Sequence, residues 1–217
     1  MQKIVKLSSL LITLALTGCT IPTTTSPEPT KTVKAEINTT QQDQAILEIE
    51  KTAQELQPFI FNYQGHQYVS YLDDEGPILI LDQDTKQKNK IYLQAGKVIA
   101  VEYDQQWYLF NQPSQPPIKN STKVKTYAQK LASRFNYNQA DKEIDQIDTG
   151  EDAKLNYLCI SKLQQVTKTK RVFRYTKNFA ESNDRLTANI RLNGKDFYAM
   201  DCLIKHNRVT LLSLTKQ

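Results

Sequence analysis

The sequence predicts an α+β fold: an N-terminal helix and an antiparallel β-meander, built as a small barrel or a curved sheet, then a helix-on-antiparallel-sheet unit with one disulfide. Three observations point there. Apolar residues return at three-and-four spacing in three stretches, as amphipathic helices require. Short β-prone runs separated by Gly, Asn and Asp turns fill most of the remainder. Beyond residue 19, Cys159 and Cys202 are the only cysteines, and a lone pair without a CxxC or a neighbouring His cluster reads as one disulfide.

The first helix carries Ile46, Ile49, Ala53 and Leu56 on one face, with charges opposite, and ends before Pro58. The period then changes to strand-like runs at Phe59–Tyr63, Gln67–Leu72, Ile78–Leu81, Ile91–Leu93, Val98–Tyr103 and Trp107–Phe110. Short turns at Gln64-Gly65-His66, Asp73-Asp74-Glu75-Gly76, Ala95-Gly96 and Asp104-Gln105, and a polar loop over Gln83–Lys90, separate them. Consecutive short strands with short turns make an antiparallel meander. Pro113, Pro116 and Pro117 then interrupt all periodicity, so the chain divides into a domain over 43–111, a linker over 112–122 and a C-terminal domain over 123–217.

In the C-terminal part, Val124, Tyr127, Ala128, Leu131 and Phe135 mark a second helix. A third starts near Asp152, after a Thr149-x-x-Asp152 capping pattern, with Leu155, Leu158, Cys159, Leu163 and Val166 on one face. Strands follow at Val172–Thr176, Arg185–Leu192, Asp196–Lys205 and Arg208–Leu214. Asn193-Gly194 is the strongest turn signal, because a type I′ turn needs positive φ at both central positions. A two-residue loop there sets Ile190 opposite Phe197 and Arg191 opposite Asp196. His206-Asn207 closes the next hairpin and aligns Cys202, Ile204, Val209 and Leu211 beneath a helix carrying Cys159.

The N-terminus is an address rather than part of the fold. Lys3 and Lys6 precede an apolar run from Leu7 to Leu16, the layout of an export signal. Ten helical residues rise only about 15 Å, half the thickness of a hydrocarbon core, so this run does not remain as a membrane span. Leu16-Thr17-Gly18-Cys19 resembles the lipobox of bacterial lipoproteins. That resemblance implies a signal peptide over 1–18, cleavage before Cys19 and lipid on the Cys19 thiol. Thr20 in place of Asp implies, by the same resemblance, the outer membrane, facing the periplasm. Two or three acyl chains hold such a protein for its lifetime, at about 0.8 kcal/mol per buried methylene. Residues 19–42, Thr-rich with Pro22, Pro27 and Pro29, read as a disordered tether. Between Thr20 and Gln42 it spans about 25–30 Å on average.

Chemistry is sparse. No catalytic, cofactor or metal-binding pattern stands out, and no enzyme is expected. His66 and His206 fall in turns with no nucleophile nearby. Asp73-Asp74-Glu75 before Gly76 reads as a charged turn. Asp82-x-Asp84 begins like a calcium loop, but Gln87 replaces its glycine and Leu93 its terminal glutamate. Gly96-Lys97 and Gly194-Lys195 lack the rest of a phosphate loop.

Charge is the one global feature. From Ala35 to Asp152 there are 11 Lys and Arg against 18 Asp and Glu; from Ala153 to Gln217 there are 13 against 4. The basic half interleaves Lys168, Lys170, Arg171, Arg174 and Lys177 with Phe173, Tyr175 and Phe179, a pattern that inside a cell suggests nucleic acid. Export excludes that partner. An anionic envelope surface, whether anionic lipid, lipopolysaccharide or cell-wall carboxylate, is expected instead. Exposed mixed-charge pairs contribute little, so the basic face is expected to stay free of the acidic half. The alternative partner is a basic enzyme met by the meander, which has 5 bases and 11 acids over Asp43–Asn111. Phe59–Phe110, through Ala100-Val101-Glu102-Tyr103 and Trp107, resembles the lipoprotein inhibitors of C-type lysozyme. That family's Ser-Ala-Ser-Gly-type loop and its disulfide are missing from this stretch, so no functional residue carries over.

Overall fold

The computed structural model describes residues 33–83, 88–110, 118–143, 150–175 and 182–217. The signal segment, Cys19, the tether up to residue 32, Thr149, Lys177 and Phe179 lie outside the described residues. The order is α1 (Val33–Glu55), β1 (Phe59–Tyr63), β2 (His66–Leu72), β3 (Pro77–Gln83), β4 (Lys88–Gln94), β5 (Lys97–Tyr103), β6 (Gln106–Leu109), α2 (Ser121–Phe135), α3 (Gln139–Glu143), α4 (Glu151–Thr167), β7 (Val172–Arg174), β8 (Arg185–Leu192), β9 (Asp196–Lys205) and β10 (Arg208–Lys216).

The α+β reading holds, with an antiparallel meander over β1–β6 and a disulfide-linked helix-on-sheet unit after it. The sheet is open rather than a barrel. Its ten strands run β6-β5-β4-β3-β2-β1-β10-β9-β8-β7. The division expected at 112–122 is not a break in this sheet, because β1 pairs in parallel with β10, setting Phe61 beside Leu212 and Tyr63 beside Leu214. A parallel pair needs a long crossover, and here nearly the whole folded chain supplies it.

Helices cover the sheet unequally. Ile46 and Ala53 of α1 pack on Leu79, Tyr92, Ile99 and Ala100 on one face of the meander. Val124, Ala128, Leu131 and Phe135 of α2, and Leu155, Leu158, Leu163 and Val166 of α4, join Ile80, Ile91, Val101, Ile190 and Leu212 on the other. Strands β3–β5 are thus buried on both faces, which explains their continuous apolar runs. Strands β8–β10 alternate buried with partly exposed residues, because among the described residues only their α4 face is covered.

Four local expectations are corrected. Helix α1 begins at Val33, so residues 33–42 of the expected tether are helical; Lys34-Ala35-Glu36 are strong helix formers and Pro29 is the last breaker before them. Helix α4 starts at Glu151 with Gly150 at its N-cap, not at a Thr149 cap. The Asn193-Gly194 turn does have φ of 50° and 80°, but Lys195 is an extra residue, so Ile190 faces Tyr198 and Arg191 faces Phe197. The one-residue slip keeps Tyr198, Met200 and Cys202 on the core face beside Ile190. Likewise a bulge between Val209 and Leu211 puts Leu212, not Leu211, opposite Cys202.

The disulfide forms as expected. Cys159 of α4 and Cys202 of β9 are bonded, with Cα atoms 6.1 Å apart, inside the range a relaxed bridge spans.

Candidate functional site

Two features stand out, one at the edge of the sheet and one at the seam between its halves. At the edge, Phe173 of β7, Arg191 of β8 and Phe197 of β9 are direct cross-strand neighbours and so share a face. This is the face that α4 does not cover. Phe173, Tyr175 and Phe197 are 46%, 44% and 43% exposed, unusual for three neighbouring aromatic rings. Tyr175 and Phe197 stack at 5.3 Å. The Arg191 guanidinium lies 5.3 Å from the Phe173 ring and 5.7 Å from that of Tyr175, and its Nε is buried without a hydrogen-bond partner among the described residues.

The predicted basic residues do not all share this face: Lys168 and Arg174 reach toward α2 and α4. Lys168 caps the end of α4 in a left-handed conformation and donates to the Ser133 carbonyl at 3.1 Å. Lys170 and Arg171 are exposed. Arg174 donates to the Asn156 side chain, and burial lowers its pKa. None of these four is in an ion pair among the described residues. Sequence reasoning found Phe173 and Tyr175 but missed Arg191 and Phe197, whose alternation along β8 and β9 marks them as outward.

At the seam, a pocket of about 370 Å³ opens where β1 and β10 begin. Its floor is an ion pair. Lys162 of α4 is 3% exposed, and its Nζ is 3.1 Å from Asp141 Oδ2 and 5.2 Å from the centre of the Phe59 ring. Burial pushes the Lys162 pKa down; Asp141 opposes this, and Arg208 adds to it. Asp141 is held by a reciprocal cap: its carboxylate accepts from Asn138 N and the Asn138 side chain accepts from Asp141 N, both at 2.9 Å. Arg208 donates to the Tyr137 hydroxyl at 3.1 Å and lies 5.1 Å from that ring. Lys205 and His206 complete the rim. The capping pattern Asn138-x-x-Asp141 is the sequence signal for this site.

His66 departs from its expected place. It opens β2 instead of sitting in the turn, stacks on Tyr68 at 5.7 Å, and its Nδ1 is 3.3 Å from Asp82 Oδ1. The other Asp82 oxygen accepts from Tyr127. Burial and this carboxylate raise the Tyr127 pKa, which keeps the hydroxyl protonated as a donor. Asp82 is 5% exposed, so the trio fastens α2 to β3 and offers no nucleophile. His206 does sit in its turn, exposed, with φ of 48°. Asp73 accepts from Glu75 N and Gly76 N, as a turn aspartate does. Among the described residues no group of three or more His, Cys, Asp or Glu is arranged to hold a metal ion, and no helix is long and apolar enough to cross a membrane.

The chain is similar to a protein of Pasteurella multocida (strain Pm70), "Uncharacterized protein PM0674", at 36% identity over 218 aligned positions that cover 94% of each chain. No protein-family model matches the chain. No solved structure matches it.

Proposed function

The chain belongs to the family of that Pasteurella protein, and we propose that it is a lipid-anchored envelope protein that binds an anionic membrane surface through the β7–β9 face. The carrying observation is the exposed Phe173, Tyr175 and Phe197 around Arg191, with Lys170 and Arg171 exposed just before β7. Aromatic rings beside cations suit a headgroup layer, where the rings enter the apolar boundary and the cations meet phosphate. Each Lys or Arg near such a surface contributes about 1 kcal/mol. The lipobox at Leu16–Cys19 supports attachment, and a disulfide persists in oxidising compartments such as the periplasm. Lipid on Cys19 would keep the face at high local concentration near its target.

The test uses protein carrying Cys19→Ser, so that no anchor contributes. It should sediment with vesicles containing anionic lipid or lipopolysaccharide, release at high salt, and ignore neutral vesicles. Phe197→Ser and the pair Lys170→Gln and Arg171→Gln should each weaken binding. Equal binding to anionic and neutral vesicles, or none to either, would sink this reading and favour the acidic meander acting on a basic enzyme.

A further inference from the structure

We propose that the pocket at the start of the β1–β10 seam binds a small organic monocarboxylate bearing an apolar chain. Its volume of about 370 Å³ lies within the range of small-molecule sites, and its walls are of two kinds. Leu56, Pro58, Phe59, Leu72 and Val209 supply apolar lining, while Lys205, Arg208 and the buried pair supply charge.

The charge count selects the head group. Lys162 and Asp141 compensate each other at 3.1 Å. Arg208 and Lys205 form no ion pair among the described residues. Arg208 spends one donor on Tyr137, and a guanidinium has five. Two cations are therefore open to an anion, and Arg208 has the planar fork that matches a carboxylate. The Asp141 carboxylate in the floor repels a second negative charge, which disfavours a phosphate dianion. A bound anion would also offset the cation crowding between Arg208 and Lys162, the repulsion that helps push the Lys162 pKa down.

The seam setting supplies rigidity. Phe59 and Val209 sit on strands at the centre of a ten-stranded sheet, and Lys162 is one turn from the disulfide cysteine Cys159 on α4. A site on such elements is pre-organised, so little ordering opposes binding.

Isothermal titration of the whole chain with octanoate should give saturable one-to-one binding. Octanol and inorganic phosphate should bind at least about tenfold more weakly, the loss expected when a charge-assisted hydrogen bond or the apolar contact is missing. Arg208→Gln and Lys205→Gln, both at exposed positions, should each cost about tenfold with an unchanged thermal midpoint. Phe197→Ser should leave octanoate affinity unchanged, which separates this site from the β7–β9 face. Absence of saturable binding, equal affinity in the Arg208→Gln, Lys205→Gln double variant, or tighter binding of phosphate than of octanoate would each overturn the proposal.

Discussion

Lys162 on α4 and Asp141 on α3 meet at 3.1 Å with side chains only 4% and 5% exposed. A buried ion pair is weak as a source of stability but severe when half of it is removed. Asp141→Ala should therefore cost about 3–5 kcal/mol, because it leaves a buried ammonium unpaired and also strips the α3 cap. Lys162→Met leaves the Asp141 carboxylate buried without its cation and should cost a comparable amount, whereas the double variant Asp141→Asn, Lys162→Met, which removes both charges and keeps a side chain able to cap α3, should lose far less than the two single losses added together. Urea titration of the two single variants and the double variant checks this, and losses that simply add in the double variant would contradict it.

The Cys159–Cys202 bridge has a sequence separation of 43 and ties α4 to β9 beneath the sheet. Closing a loop of that size stabilises by roughly 4 kcal/mol on the chain-entropy account, a large share of a typical domain's total. The double variant Cys159→Ala, Cys202→Ala should lower the denaturation midpoint accordingly. It leaves a small void among Leu158, Leu163 and Leu212, all essentially buried, so the loss should not fall below that of reduction alone.

Local signals carried much of this fold, and non-local ones carried little. Every strand of the meander was legible because turn residues bracket short β-prone runs. The continuous run Ile78–Leu81 fits a strand buried on both faces, yet nothing in it names α1 as the second cover. The parallel seam was invisible: Phe61 and Leu212 stand some 150 residues apart, and periodicity within β1 is the same whichever strand lies beside it. The β8–β9 turn type was readable from Asn193-Gly194, but the extra Lys195 changes the register, and only packing of Tyr198 and Met200 decides that. Of the seam pocket, the five-residue α3 is too short to show a helical period, so no periodicity marks Asp141, and the sequence around Lys162 does not show that its ammonium is buried. On the edge platform, Phe173 and Tyr175 stood out by spacing from Arg171 and Arg174; Arg191 and Phe197 joined them only through strand pairing.

Gly76 links the β2–β3 connection to the end of α2. Its φ is +141°, and a Cβ there would stand 3.0 Å from the Asn136 Oδ1. That oxygen accepts from Tyr137 N at 2.8 Å, so it cannot swing away without losing a bond. Gly76→Ala should cost about 1–3 kcal/mol from backbone strain, with the contact added. Adding Asn136→Ala should recover the contact but not the strain. Full recovery in the double variant would mean that the backbone at residue 76 relaxes freely.

Tyr63 makes the alkaline limit of the fold measurable. Its ring lies 5.7 Å from that of Tyr198, across the seam between β1 and the β9–β10 hairpin. Burial, then its hydrogen bond to Tyr198 and the negative charge of Asp196, raises its pKa from 10.0 to about 12. Below pH 10 the folded and unfolded chains both keep this proton, so the stability it contributes is fully present. Between 10 and about 12 the unfolded chain releases it and the folded chain retains it, so unfolding is accompanied by proton loss and stability falls as pH rises. Tyr92, buried beside Glu50, and Tyr127, buried beside Asp82, are raised as well and act in the same direction. The urea midpoint should thus drop between pH 10 and about pH 12, and Tyr63→Phe should make the drop shallower by less than one proton's worth of slope. Absorbance of tyrosinate should show the same group ionising late, with Tyr92 and Tyr127 ionising only as the protein unfolds. A Tyr63→Phe protein with an unchanged pH slope would mean that the seam leaves this hydroxyl as free to ionise as in the unfolded chain.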